Sequence, residues 1–500
     1  MSYLKKFTQN PWAFGLILAA LVPLASWAQV DTTAEQKPDA DQSATGNPQQ
    51  DQTPPAPAFG SGAPIPSATE NPPISGLDRP SLEPGAVSRS FLAPGAILSE
   101  SADSNVDGTP GGSNNSTVGG VTRVMGSLTL QKIFSRYETD LQYIGGGIFY
   151  EGVQHDTNQI HEAELAQRIV WRTGQLALRD GVSYLPEGSF GAGSYGGSGA
   201  LQAGLAGLGT QFGGLSSGIG SALGGTLGAG QFGSVGQTPR LTNSVTADLV
   251  EAVTPRSSVT LAGSYGFVHF TNNPLSLVDS DQESAQFGYD RQINRTDQVA
   301  LSYGFQKINF PQISGSSVTT NTVHFIYGHR LTGRMDFVAG AGPQFTHIQG
   351  DLIGSTNRIS ASGNLRLRYR FPRTSVQLEY RHYNTNGSGS FLGAKTDVGS
   401  ISVLRPLGRV WEAHTDIGIA NNEHLVPASV AVPATSDRYV FAGATLHRHI
   451  GRRYRMFLSY QYNRFSLNSS TCSAAVDCGI SNRHTGVVGM EWYPRPIRLD

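Results

Sequence analysis

From about residue 90 to its end, the chain alternates apolar and polar residues with a period of two. The clearest stretch is "NLRLRYRF", in which Leu365, Leu367, Tyr369 and Phe371 alternate with Arg366, Arg368 and Arg370. Successive side chains of an extended strand point to opposite faces, so one face here is greasy and the other cationic. "SVQLEYR" repeats the pattern, with Val376, Leu378 and Tyr380 opposing Gln377, Glu379 and Arg381. So does "DQVALSYGF", where Val299, Leu301, Tyr303 and Phe305 share a face. In "YRMFLSYQYN", Met456, Leu458, Tyr460 and Tyr462 oppose Arg455, Phe457, Ser459 and Gln461. A soluble sandwich would bury the apolar face in a core, whereas a membrane barrel would turn it to lipid and line a lumen with the other.

Two kinds of break punctuate this pattern. Short ones carry arginine and fall around Arg136, Arg172, Pro255-Arg256, Asn294-Arg295, Thr332-Gly333-Arg334, Pro372-Arg373, Gly408-Arg409 and Gly451-Arg452. Longer ones, rich in Gly, Ser, Asn and Asp, fall near 105–120, 151–161, 187–239, 272–281, 310–317, 350–356, 385–393, 421–436 and 468–482. Together they divide residues 90–493 into about 18 strands in alternating short-turn and long-loop order. The predicted fold is therefore all-β, a transmembrane antiparallel up-and-down β-barrel. Two pieces are read as strands from their neighbours. The first (90–105) contains Pro94, and "EAELAQRIVWR" (162–172) has a composition that a helix would also accept.

The N-terminus changes the picture by placing the chain outside the cytoplasm. Lys5 and Lys6 precede an apolar run from Trp12 to Leu24 and the small-x-small site Ser26-Trp27-Ala28. This is a signal peptide over 1–28, with cleavage between Ala28 and Gln29. No later stretch is apolar for long enough to span a bilayer as a helix, and closed barrels are the other structure that satisfies every backbone polar group in lipid. Residues 29–88, rich in Pro and Gln, show no apolar periodicity and read as a disordered periplasmic tail. The barrel itself is assigned to 89–500.

Composition narrows the function. Hydrophobic residues make up 38% and charged residues 15%, the net charge is −1, and there are 61 glycines. That charge excludes a globally basic nucleic-acid binder. The two cysteines, Cys472 and Cys478, read in an exported protein as a disulfide closing a small loop. Two thiolates without nearby histidine make half a zinc site, so no metal and no cofactor are expected.

The exported N-terminus, the paired strands with arginine-bearing turns, and "YLPEGSFG" (184–191) running into a glycine-rich stretch resemble porin-type bacterial outer-membrane β-barrel proteins. One departure is that the last strand, "HTGVVGMEWYP", reaches Trp492 and Tyr493 and then continues through "RPIRLD". The resemblance implies a bacterial outer-membrane location, contact with outer-membrane lipid and with the barrel-assembly machinery, and transport of small hydrophilic solutes. It leaves open whether three copies form a homotrimer.

Candidate selectivity residues are Arg366, Arg368, Arg370, Glu379 and Arg381, expected on adjacent strands near the middle of the barrel and pointing inward. Such charges bias which solutes pass, here toward anions. The turn arginines and the basic run "HRHIGRRYR" read as bilayer-edge anchors. The Gly-rich loop 187–239 would either plug or constrict the pore, or remain an external flap. Within it, Gly214-Leu215-Ser216-Ser217-Gly218 and the glycines from Gly228 to Gly233 match enzyme motifs that need a strand–turn–helix setting absent from low-complexity sequence. His155, His161, His347 and His424 sit near proposed external ends with no placeable acid or serine partner, so no catalytic residue and no enzyme activity are assigned. The leading function is a passive diffusion channel for small hydrophilic, anion-favoured solutes. The alternative is a plugged scaffold whose external loops bind a partner or matrix.

Overall fold

The structure, a computed structural model, describes residues 90–105, 118–134, 136–151, 158–185, 239–254, 256–271, 278–294, 296–313, 315–332, 334–350, 354–385, 392–425, 435–451, 453–469 and 480–499. The predicted signal peptide, the tail, most of the Gly-rich loop, His155 and both cysteines lie outside them.

Eighteen long strands run in chain order. They are β1 (Phe91–Asp103), β2 (Gly119–Ile133), β3 (Tyr137–Glu151), β4 (Asn158–Val170), β5 (Gly174–Leu185) and β6 (Arg240–Thr254). Next come β7 (Ser257–Phe270), β8 (Ser280–Gln292), β9 (Asp297–Asn309), β10 (Ser317–Thr332), β11 (Met335–Gly350) and β12 (Gly354–Arg370). The rest are β13 (Ser375–Thr385), β14 (Ala394–Leu407), β15 (Trp411–His424), β16 (Thr435–Ile450), β17 (Tyr454–Ser469) and β18 (Ile480–Trp492), followed by a two-residue β19 (Ile497–Arg498).

Every consecutive pair is antiparallel, and β1 closes on β18 from Ala96↔Trp492 to Asp103↔Thr485. Closure removes the sheet edges that would leave backbone groups unsatisfied in hydrocarbon. All eight arginine-bearing breaks are the short turns at one end. Gly408 and Gly451 take φ values of 86° and 66° there, which only glycine adopts without strain. The two doubtful pieces are strands: β4 because its alternation matches both neighbours, and β1 because Pro94 falls where the sheet needs no donor. Pairing with β18 stops at Ala96, and resumes with β19 at Leu92↔Ile497 after a bulge holding Pro494 and Pro496. The C-terminal extension is thus a final short rung of the barrel wall.

Burial is inverted relative to a soluble protein. In β8, the shielded positions are Ser284, Gln286 and Asp290, while Phe287 and Tyr289 stand exposed. Leu261, Leu301, Tyr303, Phe325, Ile417 and Leu458, on strands all around the ring, are between 46% and 59% exposed. The concave side crowds side chains together, while the convex side fans them apart. An apolar belt outside and a polar interior define a membrane-spanning barrel whose belt faces lipid. A strand of 14 residues rises about 45 Å, or roughly 35 Å along the axis at a barrel tilt of about 40°, enough to cross a bilayer.

The closing seam carries a buried ion pair. Arg483 donates from Nε to Oδ1 of Asp103 at 3.0 Å and from Nη2 to Oδ2 at 2.5 Å. At the other end, Arg455 pairs with Glu491, which also accepts from the Tyr493 hydroxyl at 2.5 Å. Arg455 therefore faces inward, unlike the bilayer-edge anchor proposed for its basic run, because it shares the parity of Phe457 and Ser459.

Candidate functional site

The inner wall is not uniform. On β7, β8 and β9 it is built of hydroxyls and amides: Thr260, Ser264, Ser284, Gln286, Gln298 and Ser302 all point inward. Asp290, on the same wall, is held by Ser258 and by Gln298 Nε2 at 3.0 Å.

On β11 to β13 the wall turns ionic. Register pairs Asp336 with Arg368, Arg366 with Glu379, Asn364 with Arg381, and Arg370 with Ser375. All five sequence-predicted residues thereby share the inward face and form one continuous patch. Arg368 Nε donates to Asp336 at 3.0 Å, and Arg370 Nη2 lies 3.8 Å from the same carboxylate. Arg381 Nε donates to Glu379 at 2.7 Å, and Gln377 Nε2 reaches the other Glu379 oxygen at 3.5 Å.

Two members were missed from sequence. Asp336 follows the turn by two residues, and its inward parity was readable by counting from Arg334. Arg330, which lies opposite Asp336 on β10, stands four residues before Arg334 of the turn. Five arginines (330, 366, 368, 370, 381) against two carboxylates (336, 379) leave a formal excess of three positive charges. The patch sits lower than expected. It starts at the short-turn end and climbs about 20 Å along β12, since Arg370 pairs beside the turn itself. The turn residues Pro372 and Arg373 are what fix this height.

In a ring of eighteen, β3 lies nine strands from β12, and there Glu138 pairs with Arg168 at 2.9 Å. Among the external histidines, His161 faces outward with Nδ1 2.9 Å from the Tyr143 hydroxyl, and His347 Nδ1 lies 2.7 Å from Asn357 Oδ1. His424 is on the inward face of β15. These three stand on different strands, β4, β11 and β15. No cluster of potential metal ligands occurs among the described residues.

An eighteen-strand closed barrel with an apolar belt outside and a polar interior has the architecture of a porin-type outer-membrane β-barrel. No family model and no curated protein matches the chain. Solved structures similar to it include OccAB3 of Acinetobacter baumannii, at 11% identity over 82% of this chain and 100% of that one, TM-score 0.40. Another is OpdK of Pseudomonas aeruginosa solved with vanillate, at 9% identity over 81% of this chain and 98% of that one, TM-score 0.41. The ferric citrate transporter FecA matches at 9% identity over 81% of this chain and 64% of that one, TM-score 0.39. At these values nothing about cargo follows from the likeness.

Proposed function

We propose that this barrel is a passive diffusion channel for small hydrophilic solutes and that it favours anions. The observation that carries the reading is the arginine excess on the inner wall of β10 to β13. A unit charge about 10 Å away contributes about 0.4 kcal/mol even at the dielectric of water, so a formal excess of three positive charges biases which ions enter. Neutral solutes are met by the hydroxyls and amides of β7 to β9, which replace water's hydrogen bonds without holding the solute tightly.

The test is conductance of the purified chain in planar bilayers under a KCl gradient. Discrete steps with a reversal potential displaced toward chloride are expected; absence of steps from folded protein overturns the channel, and a cation-displaced potential overturns the preference. In the same reading, the barrel-assembly machinery recognises the aromatic end of β18 around Trp492.

A further inference from the structure

The joint between β12 and β13 is interrupted. Pairing of β12 with β13 covers only Gly363↔His382 to Arg370↔Ser375, although β12 runs nine residues further, from Gly354 to Ser362. Among the described residues, β12 pairs over those nine with β11 alone. The free end of β13 does not stop there; it slides behind its neighbours. Asn384, on the outward parity of β13, donates from Nδ2 to Thr346 Oγ1 at 2.8 Å and to Thr320 Oγ1 at 3.5 Å. Both threonines point inward from β11 and β10, so the β11–β12 hairpin forms an outer ply and the end of β13 an inner one.

A second latch holds the outer ply back. Pro343 cannot donate to a ladder, and β10–β11 pairing lapses between Thr322↔Gln344 and Phe325↔Ala341. A Cβ at Gly342 would meet the Val323 carbonyl at 1.7 Å, so only glycine admits β10 this closely. Across that bare spot His324 Nε2 reaches Ser362 Oγ at 2.6 Å. Ser362 is the last residue of β12 before pairing with β13 begins, so this contact draws β12 toward β10 at the base of the joint.

The joint opens between two apolar regions. Outside, the cross-strand pair Phe345↔Ile359 is 45% and 75% exposed, which keeps the lipid-facing belt greasy at this height. Inside, register runs one transverse row from Arg381 through Val398, Ala420 and Tyr439 to Phe465. Phe441 and Tyr383 pack on the same cluster. The row is cationic at the joint and aromatic beyond it, unlike the hydroxyl and amide wall of β7 to β9.

We propose that the β12–β13 joint is a lateral gate between the barrel interior and the surrounding lipid. Its cargo is a small amphipath with an anionic head and an apolar body. The head meets Arg381, whose salt bridge to Glu379 is one its charge would compete for, and the body reaches the cluster of Tyr439, Phe441 and Phe465, which is buried while the joint is latched. This route goes beyond aqueous diffusion along the barrel axis, and it is read out separately from it.

The test uses the full chain carrying N384C and T346C in vesicles whose lipid contains a diazirine-tagged octyl sulfonate. Labelled residues are mapped by mass spectrometry after illumination. In the reduced protein, labelling of the Tyr439–Phe441–Phe465 cluster is expected. Oxidation, which staples the two plies, should cut it about tenfold, or ~1.4 kcal/mol. Conductance of the same preparation should stay unchanged, and wild-type protein taken through the same oxidation should label as before. Interior labelling that is absent or indifferent to oxidation overturns the gate, whatever the conductance. Should the cysteines not join, N384A removes the latch and is expected to raise interior labelling, and unchanged labelling overturns the proposal. Loss of conductance in wild-type protein would instead count against the aqueous channel alone.

Discussion

The walls of β7–β9 and β11–β13 obey the same two-residue rhythm and present the same apolar outer face, yet their inner faces do different chemistry. One offers mainly hydroxyls and amides, such as Gln298, whose Nε2 donates to Asp290 at 3.0 Å. The other packs arginines around two carboxylates, with Arg368 and Asp336 side chains only 9% and 8% exposed. Alternation therefore specifies which way a residue points, while the residue type at inward positions specifies what the pore does. The ionic wall is also the more demanding to build, because desolvated charge is tolerated only while partners stay in place.

The sharpest way to break this comparison is to remove one counter-charge. Asp336→Ala strips the carboxylate shared by Arg368 and Arg370 and is expected to destabilise the barrel by about 3–5 kcal/mol. Ser302→Ala, an equally buried deletion on the neutral wall, should cost only about 1 kcal/mol. Urea unfolding of both variants in detergent micelles measures the difference, and equal losses would mean the two walls are energetically alike.

A next test moves a charge by one residue. Leu301→Arg turns the charge to lipid and should cost roughly 2–4 kcal/mol near the bilayer midplane. Ser302→Arg puts it inside and should be tolerated far better. The same unfolding assay in lipid vesicles decides, and a reversed order would place the apolar face inside.

Smaller effects concern transport. R366Q/R370Q removes two of the five positive charges on this wall, worth about 0.4 kcal/mol each at ~10 Å in water, so anion preference should fall roughly fourfold. Reversal potentials measure it, and the loss should shrink at 1 M salt, where screening acts within about 3 Å. The smallest change is gain of charge on the neutral wall. Gln286→Arg should raise anion preference only about twofold by the same arithmetic. An unchanged ratio in both variants would show that ions pass elsewhere.

Much of this was legible along the chain. Arginine-bearing turns marked one end of the barrel, so strand number and order followed from counting breaks, and parity then placed Arg366, Arg368, Arg370, Glu379 and Arg381 on one inward face. Asp336 and Arg330 escaped because each stands within a few residues of a turn, where a charge reads equally well as an interfacial anchor. The height of the patch escaped for a related reason: periodicity gives the face but not the distance from the membrane edge.

What the sequence alone determined is the sidedness of every strand, because a backbone repeat of two leaves no other choice once one face is apolar. What only the tertiary structure decided is which strands depart from regular neighbour pairing. The lapped β12–β13 joint depends on Asn384 meeting Thr346 and His324 meeting Ser362, contacts between residues 38 apart in each case. Such contacts arise from curvature and closure of the whole sheet, and no local pattern of side chains encodes them.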